Sequence, residues 1–310
     1  MARRRPANPI FARINDMYVA GGNNVEGFIK DAIAMMEREG QDEMPEYFAL
    51  LWELANFYRG ASELTLSAEV FSSSLQKMRD FHMEETEDYA LMLNAYGDVL
   101  RMLGNYGEAL DVFSRALKYA EKAEDEATQA GLLRGLTQSA RGAGDLKKAS
   151  EYAKRELKIL REDLHDTNEL ASALAGAAAI SHALRDYDVA EKQAMEALEL
   201  YEDVPLSEAR QGTALTTLAS IRYIKGDLDG AAEAYSQAAS LVESLFGRNE
   251  QYIAIAEDLA KIYEVQGDMK AAANHVKLAY KTAKGVYGAD DERTRVLKVR
   301  LASFKAGRGR

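Results

Sequence analysis

Apolar residues recur along this chain at helical spacing, and the runs come in pairs separated by short polar turns. Over Tyr89–Met102, Leu93, Tyr96, Gly97 and Leu100 fall at i, i+3, i+4 and i+7. Over Gly107–Glu121 a helical spacing again joins Ala109, Leu110, Phe113, Ala116 and Leu117. Between them lies Leu103-Gly104-Asn105-Tyr106. Gly104 accepts the positive φ that ends one helix, and Asn105 is placed to cap the next. The pattern predicts a helix–tight turn–helix hairpin with one apolar stripe per helix.

The hairpin recurs. A small residue opens each second helix at Gly27, Ala68, Ala109, Ala149, Ala190, Ala231 and Ala272, in steps of 41, 41, 40, 41, 41 and 41 residues. A fixed period in this range predicts a solenoid, in which each hairpin buries its apolar sides against its neighbours. Further turns are expected at Gly144-Asp145-Leu146, Arg185-Asp186-Tyr187, Gly226-Asp227-Leu228 and Gly267-Asp268-Met269, each Asp being placed to cap a helix. Arg185 stands where the others have Gly, which predicts a turn that is slightly strained or differently closed. The second turn, Arg59–Leu64, departs from the compact form. In the first unit Phe11, Ile14, Asn15 and Tyr18 share one helix, and Gly27, Phe28, Ala34 and Met35 the next. There Asp31 occupies an expected apolar site, so that unit reads as degenerate.

The fold class expected is all-α, a right-handed α-α superhelix of about seven helical hairpins plus a C-terminal capping helix. Residues 1–7 read as a basic disordered tail and 8–306 as the solenoid. Its units fall near 8–44, 45–88, 89–128, 129–169, 170–210, 211–251 and 252–289, with a capping helix at 290–305 and a basic tail at 307–310. In the last helix Leu297, Leu301 and Phe304 form the apolar stripe, while Arg293, Arg295, Lys298, Arg300 and Lys305 are expected in water.

Four prolines and an abundance of Ala, Leu, Glu and Lys suit helix throughout. The net charge is −11, yet residues 1–13 and 305–310 carry +7 and no acid, which leaves −18 between them. An acidic body argues against nucleic acid as the ligand, because phosphate needs a positive face. The absence of cysteine excludes disulfides and thiolate chemistry. With no signal-like or membrane-length apolar run, a cytoplasmic protein without membrane contact is expected.

No constellation points to catalysis, a cofactor or a metal, and an enzyme is not expected. His82, His165, His182 and His275 lack metal-ligand spacing. Three read as surface or helix-end residues. Gly142-Ala143-Gly144-Asp145 has no third glycine and no preceding strand, so it reads as a helix terminator.

The alternation of Leu93, Tyr96 and Leu100 around the small Gly97, followed by Ala109, Phe113 and Ala116, resembles the tetratricopeptide repeat. Leu215, Leu218, Ala219, Ala231, Tyr235 and Ala238 repeat it, as do Leu259, Ala260, Tyr263, Ala272, Val276 and Ala279. The resemblance covers nearly the whole chain, and the 41-residue step resembles the long repeats of kinesin light chains. It implies that first helices line a concave groove that binds a protein segment. Only Asn94 matches the asparagine ladder of kinesin-light-chain-like grooves, so their ligand type does not carry over.

The implied groove stripe comprises Asn94, Asp98 and Arg101, then Arg134, Gln138 and Arg141, then Ala175, Ala179 and His182. It continues through Thr216, Ser220 and Tyr223 to Glu257, Lys261 and Glu264. Guanidinium groups at Arg101, Arg134 and Arg141 suit carboxylate or phosphate. The function expected is a non-enzymatic scaffold holding a partner peptide or protein, one with an acidic segment. Two alternatives are a ligand-sensing regulator acting through a separate effector chain and a structural protein that self-associates.

Overall fold

The computed structural model describes residues 9–21 and 24–306. The tails expected at 1–7 and 307–310, and Gly22-Asn23 of the first turn, lie outside the described residues. Among the described residues the fold is all-α, with no strand. The helices are α1 (Pro9–Val19), α2 (Val25–Arg38), α3 (Pro45–Gly60), α4 (Leu64–Asp80), α5 (Glu87–Met102), α6 (Tyr106–Lys122), α7 (Glu126–Gly142) and α8 (Leu146–Ile159). They continue as α9 (Thr167–Ala183), α10 (Tyr187–Glu202), α11 (Glu208–Lys225), α12 (Leu228–Phe246), α13 (Glu250–Gln266), α14 (Met269–Tyr287) and α15 (Glu292–Ala306). A π-helical turn, Leu160–Leu164, extends α8. No helix among the described residues is long and apolar enough to cross a membrane.

Two compact units divide the chain. Met1–Asp145 holds α1 to α7, and Leu146–Arg310 holds α8 to α15. Within each, helices adjacent in sequence pack on one another, and the alternate pairs α5–α7 and α9–α11 also touch. That is the neighbour-on-neighbour packing of a repeat array.

The core is a ladder on the even-numbered helices. In α6 the buried positions Ala109, Phe113, Ala116 and Ala120 follow i, i+4, i+7 and i+11. The same four steps are buried from Ala149 on α8, Ala190 on α10, Ala231 on α12 and Ala272 on α14. These five helices keep the register that the sequence predicts. The first two do not. Ser67 on α4 and Val25 on α2 are fully buried, whereas Ala68 and Gly27 are only half-buried. The true ladder thus opens with two 42-residue steps, from Val25 to Ser67 to Ala109. Ser67 fits because its hydroxyl donates to the Ala55 carbonyl at 2.8 Å. In this register Ile29, fully buried, fills the site expected to be occupied by Asp31, which is exposed. The second helix of the first hairpin is therefore in register.

Four of the tight turns close by one bond pattern. Asn105 N–H donates to the Leu100 carbonyl at 2.8 Å, and Asp145, Asp186 and Asp227 repeat the bond to Ala140, Ser181 and Arg222 at 2.9 Å. The residue before the donor is left-handed, at φ 80° for Gly104 and Gly144 and 86° for Gly226. Arg185 adopts the same region at φ 64°, so this turn closes as the glycine turns do, in a conformation that disfavours a side chain. Arg185→Gly should raise the melting temperature by relieving about 1 kcal/mol of left-handed strain. Unchanged thermal denaturation would show that the turn stores none.

Capping is less regular than residue identity predicts. Asp227 and Asp268 accept backbone N–H bonds from Gly230 and Ala271, at 3.0 and 2.8 Å. Asn105 and Asp186 accept none. Their ψ angles are 59° and 71°, against 77° to 103° at the aspartates that do cap.

Candidate functional site

The residues of the expected stripe lie on first helices, and their surroundings differ between the two units. In the first unit, α5 and α7 approach one another over α6 because glycines leave room for one ring. A Cβ built on Gly97 of α5 would lie 2.7 Å from the Phe113 ring, and one on Gly135 of α7 would lie 2.8 Å from it. Both distances are shorter than any real contact, so only glycine fits at these two points. Asn94, Asp98, Arg101, Arg134 and Gln138 are half-buried, and Arg141 is exposed. Asp98 and Arg101 pair at 3.3 Å. The Arg101 Nε is shielded from solvent and donates to no described group. That guanidinium has donor capacity to spare.

In the second unit the stripe is more fully paired. His182 of α9 and Ser220 of α11 meet at 3.1 Å between Nε2 and Oγ, and the His182 ring leans on Tyr187. Burial, with the nearby Asp258 carboxylate, raises the pKa of the Tyr235 phenol, which also bonds Ser220. Asp258 in turn accepts from Lys261 at 2.7 Å. Thr216 spends its hydroxyl on the Thr213 carbonyl, and Tyr223 is exposed. Glu257 and Glu264 are not open acids, because Arg300 of α15 reaches both, at 3.9 and 2.8 Å. Arg300 therefore departs from the solvent position expected for it and ties the capping helix to α13.

The remaining histidines do not converge. His82 and His165 sit at helix ends in left-handed conformations. His275 is half-buried and not at a helix end. It stacks on Tyr263 at 5.3 Å in mid-α14, and burial lowers its pKa. Among the described residues no group of His, Asp or Glu is arranged to hold a metal ion.

One feature escaped the sequence. A hollow of about 310 Å³ opens among the first helices α1, α3 and α5, floored by Phe11, Phe48, Trp52 and Met92 and edged by Leu91, Glu53 and Asp88. Trp52 is half-buried and meets Phe71 edge-on at 5.9 Å. It lies 42 residues before Asn94, the same step as Ser67 to Ala109, and so belongs to the stripe rather than to the core. The 42-residue step was the signal that could have found it. A second hollow, of about 430 Å³, lies between α13 and α15 with Ile253, Glu257 and Val296 in its wall.

Comparison with known proteins agrees with this architecture. The tetratricopeptide-repeat family matches residues 46–122, which span α3 to α6. No curated protein matches the sequence. The crystal structure of BtubC (BKLC) from P. vanneervenii is similar over 74% of this chain and 94% of its own, at 21% identity and a TM-score of 0.62. A Podospora anserina kinesin light chain with nearly identical TPR-like repeats is similar over 62% of this chain and 94% of its own, at 14% identity and a TM-score of 0.53. A tetratricopeptide repeat protein from Parabacteroides merdae is similar over 96% of this chain and 98% of its own, at 17% identity and a TM-score of 0.55. Residues 46–122 thus carry tetratricopeptide repeats, and the described chain as a whole shares with the solved structures the fold of paired helices in a 40- to 42-residue register.

Proposed function

We propose that this chain is a non-enzymatic scaffold that holds a segment of a partner protein against its first helices. The observation that carries the reading is the Arg101 guanidinium, shielded at Nε without an acceptor and paired only loosely with Asp98. Arg134 lies on the adjacent first helix with Arg141, which takes no ion pair among the described residues. Carboxylates of an acidic segment would supply the missing acceptors, in the two-pronged geometry that guanidinium favours.

A short fluorescent peptide of Glu and Ser is a sufficient probe. It should bind the intact chain with a strongly salt-dependent affinity, and Arg134→Glu with Arg141→Glu should lower that affinity by at least about tenfold. Capture that survives the double reversal would remove these arginines as anchors.

A further inference from the structure

The hollow among α1, α3 and α5 is apolar at its floor and carries only negative charge at its rim. Phe48 and Met92 are buried beneath it, while Leu91 stays 43% exposed at its edge. Its lining includes Glu53 and Asp88 but no Lys or Arg. The hollow between α13 and α15 shows the contrast. There Arg293 lies in the wall and pairs with Glu250 at 3.3 Å, so the acids have a cation of their own.

Glu53 has no such partner. Among the described residues no hydrogen bond or ion pair reaches its carboxylate, although it is half-buried. Burial alone raises its pKa, and the nearby Tyr18 phenol is raised by burial first and by the Glu53 charge second. A carboxylate that has lost water without gaining a donor is destabilising, and an arriving cation would reverse that cost. The exposed part of the Trp52 ring adds a second attraction for a guanidinium or ammonium group.

Resting on the scaffold reading above, we infer that this hollow receives a bulky apolar side chain of a partner segment, with flanking Lys or Arg against Glu53 and Asp88. The volume, about 310 Å³, suits one large side chain rather than a helix face. The first unit thus offers an acid-rimmed apolar socket at α1–α5 and guanidinium groups on α5 and α7. A segment with a basic-apolar end and an acidic end fits in one direction only.

Trp52 is the single tryptophan of the chain, so its emission reports on this hollow alone. The probe is a short Gly/Ser peptide with a Leu-Lys-Phe-Arg centre, titrated by calorimetry and by Trp52 fluorescence. It should shift the emission to shorter wavelength at saturation. Versions with Glu for the two cations, or Ser for the two apolar residues, should bind at least about tenfold more weakly. Glu53→Gln with Asp88→Asn should lose a similar factor at unchanged helical circular dichroism. Leu91→Ser gives a second, exposed lesion that leaves the core intact. Arg134→Glu with Arg141→Glu should leave this binding unchanged, so failure here and failure of the scaffold reading are separable. Absence of binding, equal binding of the Glu version, or calorimetric binding without a Trp52 response would each overturn the inference. So would a large gain in affinity on removing residues 1–8, because the chain's own arginines would then be the occupant.

Discussion

Phe113→Ala should lower the unfolding free energy by about 3–5 kcal/mol, the largest loss expected from any single truncation in the first unit. The ring is buried to 1% exposure and wedged against both Gly97 and Gly135, so its removal opens a cavity touching three helices. The two glycines supply the converse test. Gly97→Ala gains roughly 1 kcal/mol of helix propensity but forces a methyl to within 2.7 Å of Phe113 Cε1, an overpacking cost of about 1–3 kcal/mol. The overpacking wins, and the variant should be destabilised. Gly131→Ala on the same α7 meets nothing within 4 Å and should be stabilised instead, by about 1 kcal/mol. Opposite signs for chemically identical substitutions separate packing from propensity. Phe113→Leu ends short of Cε1 and Cζ, so combined with Gly97→Ala it should recover about 1 kcal/mol relative to additivity. Urea denaturation of the unsubstituted chain, Gly97→Ala, Phe113→Leu and the double variant completes the cycle. Strict additivity would mean that ring and glycine do not oppose one another as the distances imply.

What was legible in the sequence is the part that repeats. Ala109, Ala149, Ala190, Ala231 and Ala272 announce themselves because alanine at a fixed step is what two crossing helices require. The ladder faltered at its start because a small residue was sought there, and Gly27 and Ala68 lay conveniently close. The buried positions are Val25 and Ser67, one larger and one polar. A hydroxyl that finds a backbone carbonyl behaves in a core as a small residue does, and composition alone does not reveal that bond. The same slip hid Trp52. A lone tryptophan in an apolar run reads as core until the register moves it onto the stripe. Arg300 failed for a different reason. A charged residue on a terminal helix is expected in water, yet two acids on α13 converge on it from distant points in the sequence. The turns show where residue identity stops being informative, since Asp186 and Asp227 are both aspartates at the same place in the turn and only Asp227 caps its helix.

Ala231→Leu should be the most damaging small-to-large change in the second unit, at roughly 3 kcal/mol or more, the upper end of overpacking costs. Ala231 and Ala219 are both at 0% exposure and belong to one packed cluster with Leu215 and Tyr235. Leucine brings in three more carbon atoms where α11 and α12 already touch. Neither helix can yield freely, because α12 also packs on α13. Gln237→Leu is the control, since that position is exposed and the change should stay within about 0.5 kcal/mol. Stability in a stack of hairpins is a sum of local terms and neighbour terms, so the damage should be regional. Hydrogen exchange read by mass spectrometry should show protection falling first in α11, α12 and α13, with α5 and α6 of the first unit unchanged. Uniform loss across both units would mean that the chain unfolds as one cooperative block. Full protection at Ala231→Leu would mean that the α11–α12 crossing has slack that its buried alanines deny.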